Sequence, residues 1–438
     1  MTENAGHRWP SPVIAWWSVF VFFIVAVISY SDRLVLSLLV DPIRAELHLR
    51  DTEVGLIQGL AFALVYSVAG LPFGRLADVF ARRGVIIAGV VIWSLCTIAC
   101  GYASSFTLLF VARIGVGIGE AAFAPAAVSM IADLFPPHRR GLAIGCLLTG
   151  QAVGSGLAIV IGGGLLQLAI DGQFAALGQI GQLAPWRMVL VLLGFSGVVP
   201  VLLLLTIREP ARHRPPGSMT LPTLKAVLGG FRRLAPVLLP LYLAVSFISA
   251  GDFSIQNWMP TMLSRRFAYS PGEIASTLGV ASLLIGGLGT IAGGLLSDWQ
   301  TGRGGNVRRL AVAILAVALG GAGAAQWLTQ SGGQAIGLFA LWIFMSSISG
   351  TIGITVLQNI VPNEMRGVGT ALVSFCNVLM GLAVGTALTG MLTDHVFGDP
   401  RAVGQSMSIV ALTASAVALY LLYLARSRLR SAPFSEYR

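Results

Sequence analysis

The sequence predicts an all-α polytopic membrane protein with twelve transmembrane helices in two six-helix halves. Three observations predict it. The chain has 438 residues, 55% of them apolar and only 11% charged, with a mean hydropathy of +0.82. A soluble domain is about as apolar but roughly 25% charged, so the deficit of charge points to lipid as the solvent. The apolar residues also fall in separate runs of about 20, the length of helix that crosses a bilayer core. Finally, two short motifs recur in the same order, one six-helix unit apart.

The twelve runs lie at about 14–39, 53–74, 84–103, 106–132, 141–169, 187–207, 236–262, 274–298, 308–328, 335–360, 367–392 and 404–425. The first is too long for the core of a cleaved signal peptide and reads as a spanning helix. The longest polar interruption, 208–234, is rich in proline and basic residues. It reads as a cytoplasmic basic linker between an N-terminal half, 1–207, and a C-terminal half, 235–438. With the N-terminus inside, about 20 Lys and Arg fall on the cytoplasmic side and about 6 outside, as the positive-inside rule requires. Both termini are therefore expected in the cytoplasm.

The net charge of +10 does not indicate nucleic acid, because the basic residues are spread over short loops and build no basic domain. Cys96, Cys100, Cys146 and Cys376 lie within apolar runs and read as buried thiols. All five histidines fall in loops or tails, which leaves no cluster for a metal. No GxxxxGK[ST] loop is present for ATP. Neither an enzyme nor a cofactor is expected, and no residue is assigned as catalytic or metal-binding.

The repeat joins "GRLADVFARR" from Gly74 to "GLLSDWQTGR" from Gly294, so that Gly74 and Asp78 match Gly294 and Asp298 at an offset of 220. "PPHRRG" at 136–141 similarly faces "PNEMRG" at 362–367. Parallel six-helix repeats of this kind build one large class of transporters. The same offset carries Asp32 onto Asp252, placing an acid at the same point of each half's first helix.

Five ionisable residues lie well inside the runs: Asp32, Arg33, Arg113, Glu120 and Asp252. Charge at membrane depth is costly, and by default it marks a pathway for ions or substrate. Arg113 and Glu120 are two turns apart, about 10 Å along one helix face. Gly115, Gly117 and Gly119 between them let another helix or a cavity come close. Asp32 and Arg33 differ by about 100° around their helix, so one faces a central cavity while the other leans towards span 4. Fixed ion pairs between spans 1 and 4 are the structural alternative. For Asp252 the alternative is a place near the outer interface. "GQAVGSG" at 150–156 and "GGLGTIAGG" at 286–294 present small-residue faces for helix packing.

"GRLADVFARRG" after span 2 resembles the signature loop of the major facilitator superfamily, with Val79 where a basic residue is usual and Ala81 where glycine is usual. The second-half copy is weaker, its glycine displaced to Gly302. Within the superfamily the chain resembles bacterial members of the spinster group. The resembling stretches are "SDR" at 31–33, "TEVGLIQGLAFALVYSVAGLPFGRLAD" at 52–78, "WSLCTIACG" at 93–101, "ARIGVGIGEAAFAPAAVSMIADLFPPHRRG" at 112–141 and "NWMPTML" at 257–263. Anion:cation symporters of the same superfamily share similar patterns.

The resemblance implies a major facilitator fold and secondary active transport by alternating access, with proton coupling. It implies that Asp32, Arg33, Arg113 and Glu120 line the N-half of the cavity. Glu120 and then Asp32 are the expected proton carriers, and Arg33, Arg113 and Asp252 the charge partners of substrate. Gly74, Asp78, Arg82, Arg83, Asp133, Arg139, Arg140 and Asp298 would form a cytoplasmic latch for the outward-open state. Solvated topology signals are the plainer reading of those arginines. The expected cargo is a lysolipid or other amphipathic anion. A small organic anion is the alternative, and a uniporter or non-transporting sensor on the same scaffold the lesser reading. The expected partners are substrate, protons and the lipid bilayer of a bacterial inner membrane, with the chain acting as a monomer.

Overall fold

Proline and serine set the starts of several helices. Pro12 and Pro185 stand in first turns, where proline's missing N–H costs nothing. The Ser105 hydroxyl accepts from the Leu108 N–H, and the Ser331 hydroxyl from the Gln334 N–H, at 3.3 Å each. Ser270 and Glu273 form a reciprocal capping box. In the computed structural model of the chain, which describes residues 9–212, 224–300, 305–361 and 366–431, every regular element is helical.

Among the described residues, twelve helices are long and apolar enough to cross a membrane. They are α1 (Pro12–Leu38), α2 (Asp51–Gly70), α3 (Arg82–Tyr102), α4 (Phe106–Leu134), α5 (Arg139–Ile170), α6 (Pro185–Thr206), α7 (Gly229–Phe267), α8 (Pro271–Trp299), α9 (Gly305–Leu328), α10 (Gly332–Ile360), α11 (Leu372–Phe397) and α12 (Pro400–Arg430). Each expected run falls on one of them, with ends that agree to within about seven residues. The protein is an integral membrane protein.

The chain packs into two units, Met1–Val35 with Leu64–Gly217, and Leu36–Ala63 with Ser218–Arg438. In the first unit, small residues let backbones meet. A Cβ at Gly119 would lie 2.7 Å from the Gly89 carbonyl oxygen, and one at Gly89 2.7 Å from that of Gly119. This is the close approach expected of the glycines in span 4, and its partner is α3. The 150–156 face packs on α1, where a Cβ at Gly154 would lie 2.5 Å from the Val27 oxygen. In the second unit Gly289 and Gly293 press on Phe344 and Ile348 of α10.

Within that second unit, α2 begins against α11. Asp394 accepts from the Thr52 N–H and hydroxyl at 2.6 Å each, capping the start of α2 from a distant helix. Arg265 of α7 donates to Asp41 at 2.7 Å and to both oxygens of Asp51 at 2.7 Å. Two turns further along α2, a Cβ at Gly59 would lie 2.3 Å from the Leu382 carbonyl oxygen. Gly59→Ala is therefore expected to destabilise the protein by about 1–3 kcal/mol through overpacking against backbone. Thermal unfolding in detergent checks this. Gly70→Ala, whose Cβ meets nothing within 4 Å, should be silent.

Candidate functional site

The charges of α1 and α4 meet inside the first unit. Asp32, Arg33, Arg113 and Glu120 are each no more than 4% exposed. Arg33 Nη2 donates to Glu120 Oε2 at 2.7 Å, and the Ser29 hydroxyl donates to the same oxygen at 2.8 Å. The charge-assisted bond is the stronger of the two. Ser29 lies one turn before Arg33 on α1, so both donors share the face turned to α4. The Arg33 guanidinium also lies over Tyr30 of α1 and Tyr66 of α2, at 4.5 and 4.8 Å from the ring centroids. Two aromatic faces hold the cation in one orientation.

Asp32 points a different way, as the 100° step from Arg33 requires. It turns to α3, where the Thr97 hydroxyl donates to its Oδ2 at 2.5 Å. Arg113 reaches the backbone carbonyl of Arg33 at 3.4 Å. The four expected residues are thus neighbours, joined as an ion pair between Arg33 and Glu120 and a separate hydroxyl-bound acid. Among the described residues, Glu120 Oε1 and Asp32 Oδ1 have no hydrogen-bond partner. Asp252 stands alone in the second unit, where Ser346 and Trp342 of α10 donate to its Oδ1 at 2.5 and 2.9 Å. Nearby on α7, Asn257 and Trp258 bond Thr386 and its carbonyl across to α11. Those two are helix–helix ties rather than open donors.

A second cluster of charge lies where α2 meets α3. Arg82, 1% exposed, pairs with Asp133 of α4 and, at 2.7 Å, with Glu209 beyond α6. It also donates to the Pro210 carbonyl at 3.0 Å. Glu209 accepts from the Arg83 N–H at 2.8 Å, and the Arg83 guanidinium reaches the Ile207 carbonyl at 2.9 Å. Arg212 closes the strap on the Ala77 and Phe80 carbonyls at 2.9 and 2.7 Å. Arg82, Arg83 and Asp133 of the expected latch come together here. Arg140 turns back to the Phe135 carbonyl at 3.0 Å, while Arg139 and Asp298 are exposed. The side chain of Asp78 lies outside the described residues, as do residues 362–365 of the repeat. At Gly74 no described atom lies within 4 Å of a Cβ position.

Sequence reasoning missed Ser29, Thr97, Tyr30 and Glu209. Serine, threonine and tyrosine within an apolar run carry no distinguishing signal. Glu209 was readable as the lone acid in the basic stretch "REPARHR".

With this geometry in place, comparison with known proteins settles the family. The family model of the Major Facilitator Superfamily matches residues 21–383. The chain belongs to the Major Facilitator Superfamily. An MFS-type efflux pump of Mycolicibacterium smegmatis is 30% identical over all of this chain and 98% of its own length. A hexuronate transporter of Bacillus subtilis is 27% identical, over 86% of this chain and 87% of its own. The crystal structure of a bacterial homologue of the human lysosomal transporter spinster superposes with a TM-score of 0.81 at 26% identity, covering 98% of this chain and 99% of that one. The protein is a spinster-like major facilitator transporter and not an enzyme.

Proposed function

We propose that the chain is a proton-coupled secondary active transporter, working by alternating access, that moves a lysolipid or other amphipathic anion. One observation carries this reading: Arg33, the cation that matches Glu120, is also the cation that an anionic head group would seek. Cargo that engages Arg33 weakens its hold on Glu120, and a buried carboxylate that loses its counter-charge binds a proton. Glu120 Oε1 is free to receive it. Asp32, held by a neutral hydroxyl, is the second carrier. Arg113 adds positive charge to the same face, and Asp252 is a further charge partner in the second unit.

The hexuronate transporter supports an anionic cargo in the form of a small organic carboxylate, which is the second reading. The efflux-pump relative supports outward movement. We place the protein as a monomer in a bacterial inner membrane with both termini cytoplasmic. The Arg82–Asp133–Glu209 cluster of the first unit is then part of a cytoplasmic latch for the outward-open state, and 208–234 is the linker between halves 1–207 and 235–438.

Purified protein in liposomes loaded with a pH dye tests this, screened against lysolipids and small organic anions beside Glu120→Gln. Proton movement that depends on one of these anions, and is abolished in Glu120→Gln, is the expected result. Anion flux without proton movement, unchanged in the variant, would leave a uniporter whose α4 charges are structural.

A further inference from the structure

The second unit contains an acid whose surroundings differ from those of Glu120. Asp252 lies about 22 Å along α7 from its end at Phe267. Its two donors, the Ser346 hydroxyl and the Trp342 indole, are both neutral, and both bond the same oxygen, Oδ1. Among the described residues no cation pairs with it.

The helices packed on α7 explain why. α10 carries no ionisable residue at all, and neither does the 377–392 stretch of α11. That stretch lies flush against α7. Cβ atoms at Gly381 and Gly385 would fall 3.0 Å from Ser249 Cβ and 2.2 Å from the Ala250 oxygen. On α12 the residue level with Gly251 is Ala411, and Tyr420, Tyr423 and Arg426 follow, the arginine about 22 Å on. Along α7 itself Tyr242 and Arg265 are about 15 and about 20 Å away. Cys376 lies near Ser246, and the Tyr242 hydroxyl donates to the Gly369 carbonyl. Glu273, Asp394, His395 and Arg401 lie towards the Arg265 end, whose guanidinium bonds the Pro400 carbonyl.

An ionised carboxylate at this depth has only two neutral donors to offset its lost hydration, where Glu120 has a full counter-charge. Asp252 is also only partly buried. The acid at the equivalent point of the first half, Asp32, is held in the same manner, by one hydroxyl from a neighbouring helix. We propose that Asp252, seated on Trp342 and Ser346, is a second proton-binding site that loads and unloads independently of Arg33 and Glu120. It deepens the proton-coupled reading by giving each unit its own acid with neutral donors.

Infrared difference spectra of the full chain in lipid, titrated with pH, test this through the C=O stretch that only a protonated carboxyl shows. One pH-dependent band should vanish in Asp252→Asn and persist in Glu120→Gln and Asp32→Asn. Ser346→Ala keeps the carboxyl but removes a donor, so it should displace that band without deleting it. Should Asp252→Asn fail to fold, the Ser346→Ala shift still decides the matter. Wild-type spectra that superpose on those of Asp252→Asn, or that do not change in Ser346→Ala, overturn the proposal. Loss of proton coupling through Glu120 would be read in the liposome assay and leaves this band untouched.

Discussion

Arg33→Met should destabilise the protein by about 3–5 kcal/mol, because it leaves Glu120 a buried carboxylate with only Ser29 as partner. Glu120→Met should be similarly severe, since it removes the carboxylate that Arg33 Nη2 bonds at 2.7 Å and leaves that guanidinium buried between two tyrosine rings. The two substitutions together should recover most of the loss, since well-packed apolar side chains replace a buried ion pair at little net cost. Thermal unfolding of the three variants measures the coupling. Transport separates structure from function. If the pair only held α1 to α4, the stable double variant would transport. The expected result is a folded protein that transports nothing, because both the cation for cargo and the acid for the proton are gone.

The second large effect is expected at Arg82. Its guanidinium is shared between Asp133 and Glu209 and also bonds the Pro210 carbonyl. Arg82→Ala removes the buried cation that Asp133 and Glu209 share and loosens residues 209–210 from the start of α3. A loss of about 3–5 kcal/mol is expected, as for other buried pairs broken from one side. Glu209→Gln keeps an acceptor in place and should cost only about 1 kcal/mol. Arg83→Ala removes a side-chain bond to one backbone carbonyl and should cost about as little. Equal unfolding curves for Arg82→Ala and Arg83→Ala would show that the shared guanidinium is a solvated topology signal and not a strap.

The fold was legible because each spanning helix writes its own length in apolar residues. The repeat was legible because loop motifs keep their spacing when helices drift. The pairing of α1 with α4 was legible in outline: charges at membrane depth are few, and Arg113 and Glu120 sit two turns apart on one face. What remained hidden was direction. Nothing in "SDR" says which of Asp32 and Arg33 faces α4, and the answer depends on Ser29 and Thr97, ordinary residues of apolar helices. The tight glycines, Gly89 against Gly119 and Gly59 against Leu382, are identifiable only once the partner helix is in place. The bonds of Arg265 are not readable in the sequence, since Asp41 and Asp51 lie more than two hundred residues earlier.

The central claim is that Glu120 takes up a proton when cargo engages Arg33 and loosens its hold on the carboxylate. Counterflow against gradient-driven uptake in the same Glu120→Gln liposomes tests it most directly. Glutamine keeps the shape and the hydrogen bonds of a protonated acid, so exchange of labelled for unlabelled anion should continue at close to the wild-type rate. Accumulation driven by a pH gradient should disappear. Accumulation that persists at the wild-type level in Glu120→Gln would contradict the account and remove Glu120 from the proton path.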